Sequence, residues 1–180
     1  KDGYLGDLSE AQKNCLESVA QSLAYFEDMV KNYLDLSRLE RGELEVEKRE
    51  ITLSSRVIAP VLESLRKSLE DREMRVVSDV PENLKVYADG NLLRVVYDNL
   101  LSNAIKYGRD GGKIELDARK SEDEVTLSVL NEGQGIPPEK MPKLFKKFSR
   151  LDNPEHSKEQ GTGLGLYICR EIVEEHGGEI

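Results

Sequence analysis

Asn99-Leu-Leu-Ser-Asn103-Ala-Ile-Lys106-Tyr107 is the second half of a predicted helix over residues 91–107, and the rest of the fold follows from this helix. Successive helical residues turn by about 100° around the axis, so side chains spaced three and four apart share one face. One face is apolar and is predicted to point into the core. Its members are Leu93, Tyr97, Leu100, Leu101 and Ala104.

A second stripe of this helix begins apolar and becomes polar halfway along. We interpret its first half as packed and its second half as the wall of a pocket. Carboxamide oxygens beside a lysine suit a metal-nucleotide complex, because Mg²⁺ takes oxygen ligands and usually retains waters and substrate phosphates. Taken alone, two asparagines at i and i+4 are equally compatible with a solvated helix. The stripe contains Leu92, Val95, Val96, Asn99, Asn103, Lys106 and Tyr107.

Two glycine-rich segments follow. The first comes directly after a predicted strand, and its glycines let the backbone turn sharply and approach a planar ligand. The second opens a predicted helix, so its backbone amides and the positive end of the helix dipole would face an anion such as a triphosphate. It is neither a P-loop nor a GxGxxG dinucleotide fingerprint. The segments are Asn131-Glu-Gly133-Gln-Gly135-Ile136-Pro137 and Gly161-Thr162-Gly163-Leu164-Gly165.

With Leu144-Phe145-Lys-Lys-Phe148 between the glycine segments, these motifs stand in a recognisable order. They resemble the N box, first glycine box, F box and second glycine box of the sensor histidine kinases of two-component systems. The resemblance covers nearly the whole chain. It implies the Bergerat (GHKL) ATP-binding fold, an α+β, two-layer α/β sandwich with a mixed sheet, here preceded by a long helix. It also implies that the chain binds Mg²⁺-ATP and donates the γ-phosphoryl group to a protein histidine.

The resemblance implies metal and phosphate roles for four residues. Asn103 would be a Mg²⁺ ligand, and Asn99 would support the metal or a phosphate. Lys106 would contact the phosphates, as would Arg150, which matches an arginine of the family's nucleotide lid that reaches the phosphates. The catalytic set implied in this way is Asn99, Lys106 and Arg150.

The base-binding side of the pocket is implied in the same way. Tyr107 would pack against adenine. Asn131 stands where the family has an aspartate that accepts a hydrogen bond from the adenine amino group. An asparagine can still accept through its side-chain oxygen, but it is neutral. The remaining residues of the implied pocket are Gly133, Gly135, Ile136, Gly161, Thr162, Gly163, Leu164 and Gly165.

Asn99 also separates enzyme classes within the wider superfamily. Relatives that hydrolyse ATP, gyrase and mismatch-repair ATPases among them, carry a glutamate general base four residues before the metal-binding asparagine. Here that place is Asn99, and the neighbouring Asp98 points about 100° away around the helix. A general base must lie within hydrogen-bond reach of its water. The sequence therefore favours phosphoryl transfer to a protein over hydrolysis.

A long helix is predicted ahead of this domain. It begins at a capping box, Ser9-Glu-Ala-Gln12, and Gly42 is placed to end it. It resembles the second helix of the kinases' dimerisation and phosphotransfer hairpin. We therefore interpret residues 1–42 as a remnant of that hairpin and residues 43–180 as the catalytic domain, truncated at its C-terminal strands. The helix carries a heptad-like seam of Leu16, Val19, Leu23, Phe26, Val30 and Tyr33.

The resemblance implies three partners: the parent's hairpin with its acceptor histidine, a second copy in a homodimer, and a response regulator downstream. The histidines of this sequence are His156, in a polar loop, and His176, at the end of a predicted helix. Neither lies in a sequence resembling the family's H box. We expect His176 to interact with the last carbonyls of its helix. We also expect no autophosphorylation by this chain alone.

Composition excludes several other functions. A net charge of −9 argues against binding nucleic acid or a membrane surface, since both need clustered cations. The sequence has neither a long apolar run nor a signal-peptide pattern, so we expect a cytoplasmic location and leave open whether the parent is anchored in a membrane. Cys15 and Cys169 lack CxxC spacing and histidine neighbours, which indicates reduced packing residues and no zinc site.

Two alternative functions remain open on sequence grounds. One is a nucleotide-binding scaffold without kinase activity, favoured by Asn131 and the missing H box. The other is an anti-sigma-factor-type kinase of the same fold, against which the long helix weighs.

Elsewhere the pattern predicts a strand at Leu44 and Val46 and an N-cap at Thr52 for a helix reaching Leu69. The other predicted elements are strands at 74–79 and 84–88, a hairpin of 113–120 with 124–130, a helix at 138–148, a lid loop at 149–160 and a helix at 163–176.

Overall fold

The structure, a computed structural model, describes residues 8–41, 45–122, 124–150 and 161–180. One long N-terminal helix precedes a domain in which helices separate single strands or pairs of strands. A π-helical turn, Ser54–Ile58, leads into α2, and a 3₁₀ helix, Pro138–Lys143, follows the last strand. The elements are α1 (Glu10–Glu40), β1 (Arg49–Thr52), α2 (Ala59–Asp71), β2 (Arg75–Ser78), β3 (Lys85–Ala88), α3 (Gly90–Tyr107), β4 (Lys113–Lys120), β5 (Val125–Asn131) and α4 (Gly165–Glu175).

The strands form two sheets. In the larger one, of order β2-β4-β5, β2 runs parallel to β4 and β5 runs antiparallel to it. In the smaller one, β1 and β3 are antiparallel neighbours. The larger sheet is mixed, and β4 and β5 form the hairpin expected from the polar turn between them. The α+β prediction with a mixed sheet is therefore confirmed.

The main core lies between the larger sheet and helices α2 and α3. Side chains alternate along β4, so Ile114 and Leu116 are fully buried on the face toward the helices. The predicted core face of α3 meets them there and is confirmed: Leu93, Tyr97, Leu101 and Ala104 are all buried. Burial also raises the pKa of the Tyr97 hydroxyl to about 12.

A second core joins α3 to α4. It contains Val96, Leu164, Ile168, Cys169 and Ile172, and the side chains of Leu92, Val95 and Leu100 pack against it. The apolar first half of the second stripe of α3 is therefore packed, as predicted, while Leu100 faces this cluster rather than the main core. Cys169 is fully buried, and desolvation raises the pKa of its thiol to about 12, so it behaves as a packing residue.

The long helix α1 begins at the predicted capping box. The Ser9 amide donates to Gln12 Oε1 at 2.8 Å, and the Gln12 amide donates to Ser9 Oγ at 3.3 Å. The helix contacts α4, yet its seam stays exposed, with Phe26 59% and Tyr33 65% accessible. Gly42, expected to end α1, lies outside the described residues. In the described part of the chain, no helix is both long enough and apolar enough to cross a membrane.

Three element predictions were wrong in detail. The first strand is Arg49–Thr52; Val46 precedes it without belonging to a strand, and Leu44 lies outside the described residues. Thr52 ends that strand, and the turn after it starts at Leu53 without a side-chain cap. The predicted helix at 138–148 is only a 3₁₀ helix over Pro138–Lys143, because Pro142 within it lacks the amide donor that an α-helix needs there.

Asp89 connects three segments at the start of α3. It is buried, and its Oδ1 accepts the amides of Asn91 at 2.8 Å and Leu92 at 3.2 Å. Its Oδ2 accepts the amide of Glu47 at 3.1 Å. Its own amide donates to Nε2 of His176, whose Nδ1 donates to the carbonyl of Ile172 at 2.7 Å. The expected interaction of His176 with its own helix end is thereby confirmed, and the same ring also holds α3 against α4.

Replacing Asp89 with alanine should lower the free energy of unfolding by about 2 kcal/mol, because the helix loses its N-cap and three backbone amides lose the carboxylate that accepts from them. Urea denaturation measures the change. Asp89→Asn keeps one oxygen acceptor and should lose about half as much. Equal stability of Asp89→Ala and the wild type would show that the carboxylate contributes nothing at this junction.

Candidate functional site

The polar half of the α3 stripe lies between the two glycine-rich segments. Asp89 fixes the start of α3, and the two cores hold it on opposite sides, so the orientation of its second half is determined by packing. Each of its polar positions can then be placed relative to a neighbouring glycine.

Asn99 lies against the first residue of α4. Its Nδ2 donates to the carbonyl of Val95 at 2.9 Å, and its Oδ1 occupies the space that a Cβ on Gly165 would need. Asn103 follows one helical turn later on the same stripe and is partly buried. The second glycine segment therefore meets Asn99 directly, and glycine at position 165 is what allows this approach.

Lys106 reaches the other end of the second glycine segment. Its Nζ lies 3.7 Å from the position that a Cβ on Gly161 would occupy. The ammonium group is thus beside the loop whose backbone leads into α4. A cation beside a helix N-terminus forms a region of positive potential that suits phosphate groups.

The turn between Gly161 and α4 is tightly packed. Gly163 has a φ of 70°, and a Cβ there would lie 2.8 Å from the carbonyl carbon of Phe148 and 2.8 Å from the Ser149 oxygen. Thr162 Oγ1 accepts the amide of Leu164 at 3.3 Å. The Leu164 side chain is buried in the second core, so any contact of Leu164 with a ligand would come from its backbone.

The first glycine segment adjoins the C-terminal end of α3. Gly133 forms a backbone bridge with Gly108, and a Cβ on Gly133 would lie 2.8 Å from the Tyr107 carbonyl oxygen. Asn131, the last residue of β5, would have its Nδ2 only 3.2 Å from that Cβ. The Tyr107 side chain is 41% exposed. The Tyr107 carbonyl and the Asn131 side chain therefore both lie beside Gly133.

Three of the predicted residues lie at the open side of this arrangement. Gly135 has a φ of 70° with no atom within 4 Å of a Cβ placed there, and Ile136 is 46% exposed. Arg150 is exposed at the end of the described segment that follows the 3₁₀ helix. The rest of the predicted lid, residues 151–160 with His156, lies outside the described residues.

The segment before the predicted lid is anchored on α4. Nζ of Lys147 lies 4.9 Å from the ring centroid of Tyr167, and the Arg170 guanidinium lies 5.4 Å from the same centroid. Such distances are those of cation-π contacts. Phe148 follows with a φ of 58°; its side chain is 66% exposed, while its backbone lies against Gly163.

These contacts fit a bound nucleotide. Glycines 133, 163 and 165 each lie where a Cβ would meet neighbouring backbone or the Asn99 side chain, so the backbone is closely packed around the asparagine stripe. Carboxamide oxygens, an ammonium group and a helix N-terminus form a suitable set of groups for Mg²⁺ and phosphates. Asp98 is in a groove with Pro60 and Ser64, away from the stripe, in line with its predicted direction.

Sequence reasoning missed two features near the site. Asp89 and His176 lie 87 positions apart, and Arg72 at the end of α2 contacts the end of α3. The position of His176 at a helix end indicated its contact with the carbonyl of Ile172 in the same helix, but not its contact with the Asp89 amide. No local pattern in the sequence indicates the contact of Arg72.

Comparison with known proteins identifies the family of this chain. Residues 88–180 match the family described as histidine kinase-, DNA gyrase B-, and HSP90-like ATPase. The chain is 33% identical over 178 residues to the circadian input-output histidine kinase CikA of Synechococcus elongatus, covering 97% of this chain and 24% of CikA. The chain thus spans about a quarter of the length of that curated relative.

Solved structures give the same result. The catalytic domain of histidine kinase ThkA superposes with a TM-score of 0.63 at 33% identity, covering 72% of this chain and 81% of that one. Histidine kinase ThkA in complex with response regulator protein TrrA gives a TM-score of 0.72 at 28% identity, covering 96% of this chain and 47% of that one.

The chain belongs to the family of histidine kinase-, DNA gyrase B- and HSP90-like ATPases. Within it, the similarity is to the ATP-binding catalytic domain of sensor histidine kinases, which confirms the resemblance drawn from the four motifs. The nucleotide bound by domains of this family is ATP.

Proposed function

We propose that this chain binds Mg²⁺-ATP and donates its γ-phosphoryl group to a histidine of the parent sensor kinase. The observation that carries this proposal is the meeting of both glycine segments with one stripe of α3. Gly165 abuts Asn99, Gly161 is beside Lys106, and Gly133 abuts Tyr107. Phosphoryl transfer depends mainly on positioning and charge neutralisation, and a rigid helix between two glycine turns provides positioning.

The residues divide into metal, phosphate and base contacts. Asn103 binds Mg²⁺ in this proposal and Asn99 supports the metal or a phosphate, while Lys106 and Arg150 contact the phosphates. Mg²⁺ held by Asn103 would supply positive charge that neutralises the charge developing during transfer. Tyr107 packs against adenine, and Asn131 accepts from the adenine amino group. The glycine segments, with Ile136 and Thr162, shape the pocket.

Transfer to a protein is favoured over hydrolysis. The carboxamide of Asn99 donates to the Val95 carbonyl and stands where ATP-hydrolysing relatives carry a glutamate. Asp98 lines the groove with Pro60 and Ser64, which contains none of the polar residues of the stripe. Activating a water requires a base within hydrogen-bond reach of it, and neither of these two residues supplies one on this stripe.

The long helix supplies the link to partners in this proposal. Residues 1–42 belong to the dimerisation and phosphotransfer hairpin, and residues 43–180 form the catalytic domain. The exposed seam of α1, including Leu23 and Phe26, would pack against the parent's first hairpin helix and the second copy of a homodimer. A response regulator acts downstream; the complex of ThkA with TrrA supports this partner class. We place this chain in the cytoplasm.

Asn103→Ala should weaken binding of ATP in the presence of Mg²⁺ by about tenfold, equivalent to roughly 1.4 kcal/mol of binding free energy. Removal of Mg²⁺ should then have little further effect on this variant. Isothermal titration calorimetry on the wild type and the variant, with and without Mg²⁺, measures both effects.

Asn91→Ala is the matched control, because Asn91 is an exposed asparagine in the first turn of the same helix. It should bind as the wild type does. Equal affinity of Asn103→Ala and the wild type under both conditions would remove Asn103 from the metal role. Absence of any ATP binding by the wild type would overturn the proposed function as a whole.

A further inference from the structure

Arg72 lies at the end of α2, but its guanidinium group is at the end of α3. Nη1 donates to the carbonyl of Lys106 at 2.9 Å and also to that of Ile105, and Nη2 donates to the carbonyl of Gly108 at 3.1 Å. Nε donates to Oδ1 of Asp110 at 2.6 Å. One side chain therefore bonds the last turn of α3 and the loop that follows it.

The last carbonyls of a helix have no partner within the helix and carry the negative end of its dipole. A guanidinium group suits this position, because it is planar, always charged and presents five donors in a fixed fork. The Gly111 amide also donates to the carbonyl of Arg72 at 2.9 Å, so the loop after α3 is tied to α2 in both directions. The Arg72 side chain is only 27% exposed, which limits competition from water.

The turn that Arg72 holds carries two of the proposed nucleotide contacts. Lys106 projects from it toward Gly161, with Nζ 3.7 Å from the position of a Cβ there. Tyr107 follows, and its carbonyl oxygen lies against Gly133. If this turn frays or rotates, the Lys106 ammonium moves away from the second glycine segment, and a small misplacement of a binding group is costly.

We propose that Arg72 is a positioning residue of the nucleotide site, which fixes the last turn of α3 so that Lys106 meets the phosphates. This inference rests on the proposed function, because it assigns Lys106 to the phosphates. Arg72 itself does not touch the nucleotide; it acts through the carbonyls of Ile105, Lys106 and Gly108. The fork is essential, because three carbonyls and one carboxylate are bonded at once.

Arg72→Met keeps the apolar stem and removes the fork. It should weaken Mg²⁺-ATP binding by about tenfold, the size expected for losing charge-assisted hydrogen bonds that orient a binding group. Arg66→Met is the matched control, since Arg66 is on the same helix, its side chain is 67% exposed and it pairs with Glu63 and Glu70. Its affinity should equal that of the wild type. Calorimetry at a temperature well below the unfolding midpoint of each variant measures these affinities.

A double-mutant cycle with Lys106→Met separates positioning from general destabilisation. If Arg72 acts through Lys106, Arg72→Met should cost less than about threefold in affinity once Lys106 is already methionine. If the loss of affinity in the double variant equals the product of the losses in the two single variants, the inference is overturned, because Arg72 would then act independently of Lys106. Should Arg72→Met fail to fold, Arg72→Lys replaces it, with about threefold weaker binding expected from the lost fork; unchanged affinity would overturn the inference.

The two proposals fail in distinguishable ways. If Lys106→Met binds ATP as tightly as the wild type does, the phosphate role of Lys106 is wrong and the proposed site fails with it. If Lys106→Met weakens binding but Arg72→Met does not, the site stands and only the positioning role of Arg72 is wrong.

Discussion

Incubated with γ-labelled ATP, the 180-residue chain should incorporate no phosphate on its own, whereas a separately supplied hairpin carrying the acceptor histidine should become labelled. A γ-phosphoryl group needs a nucleophile held close to it and in line with the bond that breaks. His176 cannot serve, because its Nδ1 donates to the Ile172 carbonyl and its Nε2 accepts the Asp89 amide. Gel autoradiography measures the label on each chain, and loss of the label in acid identifies it as phosphate on histidine.

Variants of the donor chain give this experiment its controls. Asn103→Ala should abolish labelling of the hairpin, and Asn91→Ala should leave it unchanged, since only Asn103 is on the polar half of the α3 stripe. Acid-labile phosphate on His156 or His176 would contradict the proposal that the acceptor histidine is on the parent's hairpin. ATP binding without label on either chain would instead favour the nucleotide-binding scaffold.

The sequence was most informative where a pattern is set by packing over several turns. Both faces of α3 were predicted because each is defined by apolar residues that recur at helical spacing, and Leu93, Tyr97 and Val96 are buried accordingly. The β4–β5 hairpin followed from two strand patterns around a polar turn. Short elements were less predictable. The alternation of Leu44 and Val46 resembles that of a strand, but the strand is at Arg49–Thr52, where it is stabilised by pairing with β3.

The arrangement of the site was predictable only in part. The resemblance named residues on four separated segments. The contacts of Asn99 with Gly165, of Lys106 with Gly161 and of Tyr107 with Gly133 bring three of those segments together. The roles of these residues toward ATP stay predictions. Arg72 could not be found from sequence, because a C-terminal cap supplied by another helix depends on tertiary packing and has no local pattern.

Gly163 is the glycine of the site with the strictest requirement. Its φ of 70° is in the left-handed region, where an L side chain costs about 1–2 kcal/mol. A Cβ would also lie 2.8 Å from the backbone of Phe148 and from that of Ser149. Backbone cannot rotate away as a flexible side chain can, so the segment leading into residues 149–160 would have to shift.

Gly163→Ala should therefore lower both stability and nucleotide affinity. We expect a loss of more than about 2 kcal/mol in the free energy of unfolding, combining the left-handed strain with the overlap. ATP affinity should fall more than about tenfold, because the second glycine segment would be displaced relative to Lys106 and Asn99. Urea denaturation and calorimetry on the folded variant measure the two losses separately.

Gly177→Ala isolates the conformational part of this effect. Gly177 has a φ of 79° at the end of α4, and a Cβ there would meet no atom within 4 Å. It should lose about 1 kcal/mol of stability from left-handed strain alone and should bind ATP as the wild type does. If both variants lose the same stability and neither loses affinity, the close approach of Gly163 to Phe148 and Ser149 does not shape the nucleotide site.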